Sequence, residues 1–193
     1  ELLSRWRGDP RVMAVTGCNF YPGHPPGAPS YHFSRFTCST GWATWRRAWR
    51  LYDFKMKSWP AFRDGGGLEA CLEDPSARRF WRRTFDAACA AAEPSYWDYQ
   101  WTYACWAHGG ITAWSRVNLI TNIGYDAQAT HSSEPDHPLA KLPVFPIDKP
   151  LRHPVFMVRQ ARFDRWLQYH SHLTTFAQRV RQFLKYRLFV NIL

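Results

Sequence analysis

One carboxylate in the sequence stands among aromatic rings. Asp98 is preceded by Trp97 and followed by Tyr99, and Trp101 comes about one helical turn later. Rings can stack on a sugar and exclude water, and a carboxylate in this setting is suited to take the proton from a sugar hydroxyl. A structural role is open as well, because Ser95 and Asp98 have the spacing of a helix capping box. The two roles are compatible, since a helix N-terminus keeps a carboxylate ionised and fixed in place.

A histidine in a polar stretch is the second candidate for chemistry. His131 stands among the hydroxyl side chains of Thr130, Ser132 and Ser133. A loop histidine that follows a strand can bind a metal ion or contact a diphosphate, and an ordinary surface histidine has the same spacing. The sequence leaves both interpretations open.

Other ligand-binding motifs are missing from the sequence. It contains neither G-x-x-x-x-G-K nor G-x-G-x-x-G, and the glycine run at residues 65–67 is not followed by a lysine, which argues against a phosphate loop. His170 and His172 are two residues apart on a predicted helix, where such side chains face apart. The five cysteines form no C-x-x-C motif, so we expect buried thiols in a reducing cytosol rather than a zinc ribbon or a disulfide framework.

The composition is that of a folded, aromatic-rich and basic protein. Of the 193 residues, 46% are hydrophobic, which is enough for a core, and 17% are aromatic, including 11 tryptophans. These values exclude the collagen, coiled-coil and disulfide-scaffold classes. The formal charge is +10, and the last 35 residues carry seven basic side chains against one acidic one. Because this basic segment is separate from the tryptophans, we expect no nucleic-acid partner.

The elements that must position these residues follow from hydrophobic periodicity and from helix breakers. We predict helices over residues 2–7, 68–73, 75–91 and 96–108, and strands over residues 11–15, 31–36 and 116–119. Trp42, Trp45 and Trp49 have the spacing of one helix face. Residues 57–67 and the proline-rich residues 124–153 are predicted to be irregular.

The C-terminal residues form a basic, amphipathic pattern over 161–190. This pattern is typical of a helix on an anionic membrane surface, and also of a helix that packs on its own domain with solvated arginines. The chain has no apolar run of about 18 residues that could span a membrane and no signal peptide. We therefore expect a cytoplasmic protein, and contact of its tail with the inner face of the membrane is one of the two alternatives for residues 161–190.

Five short strings resemble a known enzyme family. They are S-R-F at residues 34–36, G-W-A-T-W-R-R-A-W at 41–49, Y-D at 52–53, W-D-Y-Q-W at 97–101 and V-N-L-I-T-N-I-G at 117–124. In this order they resemble bacterial nucleotide-diphospho-sugar transferases of the GT-A fold, a group that includes haemolytic-protein-like members. The resemblance covers about residues 2–158. The layout is also distantly similar to that of inverting N-acetylglucosaminyltransferases.

The resemblance implies an α/β fold and a role for each matching residue. Asp98 matches the catalytic base. Gly41 and Trp42 match the element on the acceptor side, where Trp97 and Trp101 would stack on sugar. The segment from Asn122 and Gly124 to His131 matches the loop that closes over the donor diphosphate, where His131 would contact the metal ion or the diphosphate.

The resemblance is incomplete at the metal site. The family holds Mn²⁺ or Mg²⁺ with a Glu-Asp-Asp or Asp-x-Asp motif, and this sequence contains neither. We therefore expect residues 1–158 to be the acceptor-side portion of a GT-A domain whose nucleotide-binding half and metal ligands lie upstream. Residues 159–193 are expected to form a basic helical tail. The alternative is a relic without transfer activity, and the chain by itself is expected to be inactive.

Two classes of function remain open from the sequence. The first is a glycosyltransferase that moves a sugar from a nucleotide-diphospho-sugar to a glycan or lipid-linked acceptor, with inversion, in the synthesis of cell-surface polysaccharide. The second is a non-catalytic, aromatic-rich module that binds a glycan, a membrane surface or a nucleic acid.

Overall fold

Helices flank a small sheet in the computed structural model of this chain, which describes residues 1–21, 27–92, 96–123 and 142–172. The strands are β1 (Val12–Thr16), β2 (Tyr31–Ser34), β3 (Trp42–Thr44) and β4 (Ile111–Ser115). The helices are α1 (Leu2–Arg5), α2 (Arg46–Trp49), α3 (Trp59–Asp64), α4 (Gly67–Cys71), α5 (Pro75–Ala90), α6 (Asp98–Ala107) and α7 (Ala161–Leu167). A π-helical segment, Gln168–His172, continues α7. The expected α/β class is thus correct.

The four strands form a mixed sheet in the order β2-β4-β1-β3. The central pair, β1 and β4, is parallel, with Thr16 opposite Trp114. The outer strands are antiparallel to their neighbours, so that β3 begins at Trp42 opposite Thr16. The start of β3 therefore lies at the same edge of the sheet as the carboxyl ends of β1 and β4.

Helix α6 is buried along most of its length, and its sequence explains this position. All residues from Gln100 to Trp106 are buried, as expected for a helix that is apolar on every side. The helix ends where Gly109 adopts a φ of +64°. Gly110 then allows close approach to β1, since a Cβ there would lie 2.2 Å from the sulfur of Met13.

The sheet separates two apolar clusters. The larger contains residues of α3 to α7, among them Trp59, Trp81, Trp101 and Phe163. The smaller lies around Val12, Tyr31, Phe33 and Ala113, with Leu2, Trp6 and Trp45 packed against it. Helix α1 thus covers the face opposite to α6.

The segment before α7 and α7 itself are tied to the sheet. The backbone N–H of Gln160 donates to the carbonyl of Phe33 at 2.8 Å. Buried Asp164 accepts from the hydroxyl of Ser34 at 2.6 Å and from Arg159 at 2.7 Å, and it pairs with Arg35 at 3.4 Å. Burial raises the pKa of Asp164, and the hydrogen bonds from Ser34 and Arg159 oppose that rise. The carboxylate joins β2 to α7.

Several predicted elements are wrong. Residues 42–44 form strand β3 rather than the first turn of a helix, because their backbone pairs with β1. As a result Trp45 packs on the opposite face of the sheet from Trp42. Residues 59–64 are helical rather than a loop. The strand expected at 116–119 lies at Ile111–Ser115 instead.

Candidate functional site

The loops that leave β1 and β4 are joined at the carboxyl edge of the sheet. The side-chain amide of Asn19 is hydrogen-bonded although it is buried: it donates to the carbonyls of Ser115 at 2.6 Å and Arg116 at 3.0 Å. Asn118 accepts from the backbone N–H of Asn19 at 3.1 Å and donates to the carbonyl of Ile120 at 2.7 Å. These bonds fix the path of the chain towards Asn122. Ligands of open α/β sheets bind outside this edge.

Gly41 places the start of β3 against the same edge. Its φ is +57°, and a Cβ at this position would lie 2.9 Å from Cγ1 of Ile120. The carbonyl of Gly41 accepts from the backbone N–H of Gly17 at 2.9 Å. The positive φ turns the chain so that Trp42 begins the strand beside the loop that follows β1.

Five aromatic rings meet beside the N-terminus of α6, and we call them the aromatic cluster. They are Trp42, Trp49, Tyr52, Trp97 and Trp101. Trp42 stacks on Trp97 with ring centroids 5.4 Å apart, and it also contacts Trp101 at 5.8 Å. Trp49 stacks on Tyr52 at 4.6 Å and contacts Trp101 at 5.1 Å. The structure therefore brings together three of the tryptophans that the sequence selected.

The members of the aromatic cluster differ in exposure. Trp101 is 1% exposed and forms its base, whereas Trp49 is 41% and Trp97 is 39% exposed. Two indole rings thus present surface to solvent while the ring beneath them holds them in place. The exposed rings of Trp49 and Trp97 are inclined at 70° to each other, so each presents its own apolar face, which suits contact with the face of a sugar ring or another planar ligand.

Asp98 is the first residue of α6 and lies next to the aromatic cluster. Its carboxylate is half-buried and accepts from the backbone N–H of Tyr99 at 3.1 Å. Trp97 is the N-cap residue of α6 and Asp98 is its first residue. The predicted capping box, which needs Asp98 at the third position of the helix, is therefore wrong. Its other member, Ser95, lies outside the described residues.

The negative charge of Asp98 affects the pKa of two tyrosine hydroxyls. Burial raises the pKa of Tyr52, and the negative charges of Asp98 and Asp53 raise it further. Burial and Asp98 likewise raise the pKa of Tyr99. The hydroxyl of Tyr52 donates to the carbonyl of Trp97 at 3.3 Å. The site therefore combines apolar rings, neutral hydroxyls and one half-buried carboxylate.

The predicted donor-side residues are only partly described. Asn122 is half-buried at the end of the segment that Asn118 anchors, whereas Gly124 and His131 lie outside the described residues. Among the residues that are described, no three His, Cys, Asp or Glu side chains are grouped so that they could hold a metal ion. The metal ligands that the resemblance implies, His131 among them, are not among the described residues, so the Mn²⁺ or Mg²⁺ site stays a prediction.

The site includes residues to which the sequence assigned no ligand contact. Trp49 and Tyr52 complete the aromatic cluster, with their rings stacked at 4.6 Å. Asn118, three residues after β4, holds the loop towards Asn122. In each case the residues belong to the strings that carry the family resemblance or adjoin them.

A separate cleft lies between α7 and the start of α5. Its charged lining includes Arg35, Asp74, Asp164 and Arg165. Two of its three carboxylates already have partners, since Asp164 binds two arginines and Asp74 accepts from the hydroxyl of Tyr169. We therefore locate the candidate site at the aromatic cluster, which is an open surface rather than a cleft.

Comparison with protein-family models, with curated protein sequences and with solved structures found no match for this chain.

Proposed function

We propose that the protein takes part in glycosyl transfer, with the aromatic cluster binding the acceptor sugar and Asp98 acting as the general base. The observation that carries the proposal is the position of one half-buried carboxylate at a helix N-terminus beside two exposed tryptophans at the carboxyl edge of the sheet. The resemblance of the strings at residues 41–49 and 97–101 to GT-A transferases supports the same assignment.

The proposed reaction is a single displacement. An acceptor hydroxyl approaches Asp98 while its ring rests on Trp97 and Trp49. The Asp98 carboxylate takes the hydroxyl proton, the oxygen forms a bond to the anomeric carbon of the donor sugar, and the bond from that carbon to the diphosphate breaks. The nucleoside diphosphate leaves with the bonding electron pair, and the configuration at the anomeric carbon inverts. General-base catalysis of this kind contributes about 10²–10⁴-fold to a rate.

The donor side of the proposal rests on fewer described residues. The diphosphate would lie towards Asn122, which continues the loop held by Asn118. A divalent ion would have to be bound by residues outside the described part of the chain, and Gly124 and His131 remain candidates on the resemblance alone. The membrane contact expected for residues 161–190 also stays a proposal, since residues beyond 172 are not described.

The test measures nucleoside diphosphate released from UDP-sugars with a glycan acceptor and Mn²⁺, using the complete gene product that contains these residues. We expect Asp98→Asn to lower the rate at least about a hundredfold and to leave acceptor binding, followed by tryptophan fluorescence, within a few-fold of the unchanged protein. Asp53→Asn is the matched control, because Asp53 also lies near Tyr52 but bonds the backbone N–H groups of Lys55 and Lys57. Equal rates for the two variants would remove Asp98 from the mechanism.

A second function is favoured by the exposure of Trp49 and Trp97, since sugar stacking needs no carboxylate. In that case the chain is a glycan-binding module without transfer activity. Saturable quenching of tryptophan fluorescence by glycans, together with no turnover of any UDP-sugar, is the result that would select this function.

A further inference from the structure

Helix α5 has an apolar face and an arginine face. Ala77, Trp81 and Phe85 are buried at intervals of four residues. On the outer side Arg79, Arg82 and Arg83 are exposed and Arg78 is half-buried. Residues three and four apart are neighbours on a helix surface, so these four guanidinium groups lie close together within two turns. We call them the arginine face.

The charge of the arginine face is only partly offset by neighbouring carboxylates, because Arg82 helps to lower the pKa of Asp64 and Arg79 that of Asp74. Among the described residues, none of the four arginines forms an ion pair, and Arg79 donates only to the hydroxyl of Ser76 at 3.0 Å. Asp86 lies on the next turn of α5, but it accepts from the indole of Trp59 at 2.8 Å and from Arg63 at 3.1 Å. Like charges at this spacing destabilise a helix, so an external anion would relieve a cost that the fold leaves in place.

Helix α7 extends the arginine face. The indole of Trp81 donates to the side-chain carbonyl of Gln168 at 2.8 Å, and the hydroxyl of Tyr169 donates to Asp74 at the start of α5. Arg165 is exposed one turn before Tyr169. The two helices are therefore adjacent, and Arg165 adds an exposed basic side chain on the α7 side of the cleft that Glu73 and Asp74 also line.

The shape of this surface favours a lipid headgroup layer over a nucleic acid. Arg79 and Arg83 flank the partly buried ring of Phe80 and line a shallow groove with it. Phe80 is the only aromatic residue of α5 that is not buried, so successive bases would find no row of rings to stack on beside the charges. A one-sided row of guanidinium groups around an apolar ring fits anionic headgroups in a plane.

We propose that the arginine face of α5, together with Arg165, binds an anionic lipid surface. This proposal concerns residues outside the aromatic cluster and does not depend on whether that cluster transfers a sugar. Each basic side chain near an anionic leaflet adds to the attraction, and the effect declines with distance from the charged surface over about one Debye length.

The experiment is co-sedimentation of the full chain with vesicles of phosphatidylcholine alone and with about one-third phosphatidylserine, at about 0.1 M salt. We expect binding only to the anionic vesicles. The variant Arg79→Gln/Arg82→Gln/Arg83→Gln should bind about a hundredfold more weakly. The charge-preserving variant Arg79→Lys/Arg82→Lys/Arg83→Lys should bind within a few-fold of the unchanged chain, which shows that the three sites tolerate substitution.

A charge-matched control distinguishes the arginine face from net charge. Arg7→Gln/Arg46→Gln/Arg50→Gln removes three exposed arginines elsewhere and should reduce binding much less. Equal loss in the two glutamine variants, unchanged binding after removal of the arginine face, or equal binding to neutral vesicles would each overturn the proposal. Tighter binding to double-stranded RNA than to anionic vesicles at the same salt would overturn it in favour of a nucleic acid.

Discussion

Trp97 and Trp101 stand four residues apart and belong to the same aromatic cluster, yet they have different physical roles. Trp97 precedes α6 and is 39% exposed, whereas Trp101 lies within the helix and is 1% exposed. Burial of an indole contributes to folding, and its exposed face is free to contact a ligand. Substitution at the two positions should therefore separate binding from stability.

We expect Trp97→Ala to weaken glycan binding at least tenfold with a small change in the free energy of unfolding. Trp101→Ala should cost about 3–5 kcal/mol of that free energy, as large-to-small changes of buried tryptophans do. Urea unfolding and glycan titration of both variants measure the two quantities. Trp45→Ala is the matched control for loss of an indole outside the cluster. Equal glycan affinity of the Trp97→Ala and Trp45→Ala variants would contradict the assignment of the site.

Gly41 offers a second prediction at the scale of one residue. Its φ of +57° is unfavourable for any residue with a Cβ, and the added carbon would contact Ile120. We expect Gly41→Ala to lower the free energy of unfolding by about 1–3 kcal/mol and to weaken glycan binding, because Trp42 follows directly. Thermal unfolding and fluorescence titration check both effects.

Two other glycines serve as controls for Gly41. Gly27 has a φ of +79° with open space around it, and Gly8 has open space and no positive φ. The expected order of destabilisation is Gly41→Ala above Gly27→Ala, and Gly27→Ala above Gly8→Ala. A smaller loss at position 41 than at position 27 would show that Ile120 moves aside without cost.

At the scale of an element, α5 depends on the residue that caps it. Asp74 accepts from the backbone N–H of Ser76 at 2.6 Å and from the hydroxyl of Tyr169. These two hydrogen bonds, that of Tyr169 first, hold the pKa of Asp74 below its usual value. The stability that the ionised cap contributes is therefore present above about pH 4, the unfolded value, and is lost as the pH falls through the lowered pKa.

Substitution of Asp74 tests that dependence. At neutral pH Asp74→Ala should cost about 1 kcal/mol, the usual cost of losing an N-cap, and the difference from the unchanged chain should shrink under acid. Asp74→Asn keeps a cap acceptor and should cost less, without the acid-dependent part. Urea unfolding at neutral pH and at acid pH measures the free energy of unfolding of each variant. Glu73→Gln is the control for a change at the neighbouring residue. A cost of Asp74→Ala that does not change with pH would refute the linkage.

The predictability of the elements varied with the number of local signals. Helices α5 and α6 were predicted to within about two residues at each end, because Asp74-Pro75 and Gly109-Gly110 mark their boundaries. Residues 42–44 were assigned wrongly, because the tryptophan spacing there fits a helix and only pairing with β1 makes a strand. Pairing between distant segments is a tertiary effect that a local pattern does not contain.

The same distinction applies to the candidate site. Asp98 and its neighbouring rings could be selected from local sequence, since they stand within five residues. The stacking of these rings depends on how β3, α2 and α6 pack together: Trp42 stacks on Trp97, and Trp49 stacks on Tyr52. The Asn19–Asn118 contact spans nearly a hundred residues, and no spacing rule predicts it. The role of His131 stays a prediction, because that residue lies outside the described parts.

At the scale of the whole molecule, α7 belongs to the main core although it lies in the segment predicted as a tail. Phe163 and Leu167 are 1% and 2% exposed, and Phe163 contacts Trp114 of β4 with ring centroids 5.0 Å apart. Asp164 adds bonds to Ser34 and Arg159. Within the described residues, no helix has the length and apolar character needed to cross a membrane.

These contacts predict the effect of shortening the chain. A chain of residues 1–158 loses α7, which would uncover apolar rings and leave Arg35 without its carboxylate. We expect it to lack the cooperative unfolding transition of the full chain and to bind a dye specific for exposed apolar surface. A chain of residues 1–172 keeps every contact described here and should unfold cooperatively. If the chain of residues 1–158 kept the cooperative transition of the full chain, residues 159–172 could not be part of the folded core, and the boundary at residue 158 would separate domain from tail after all.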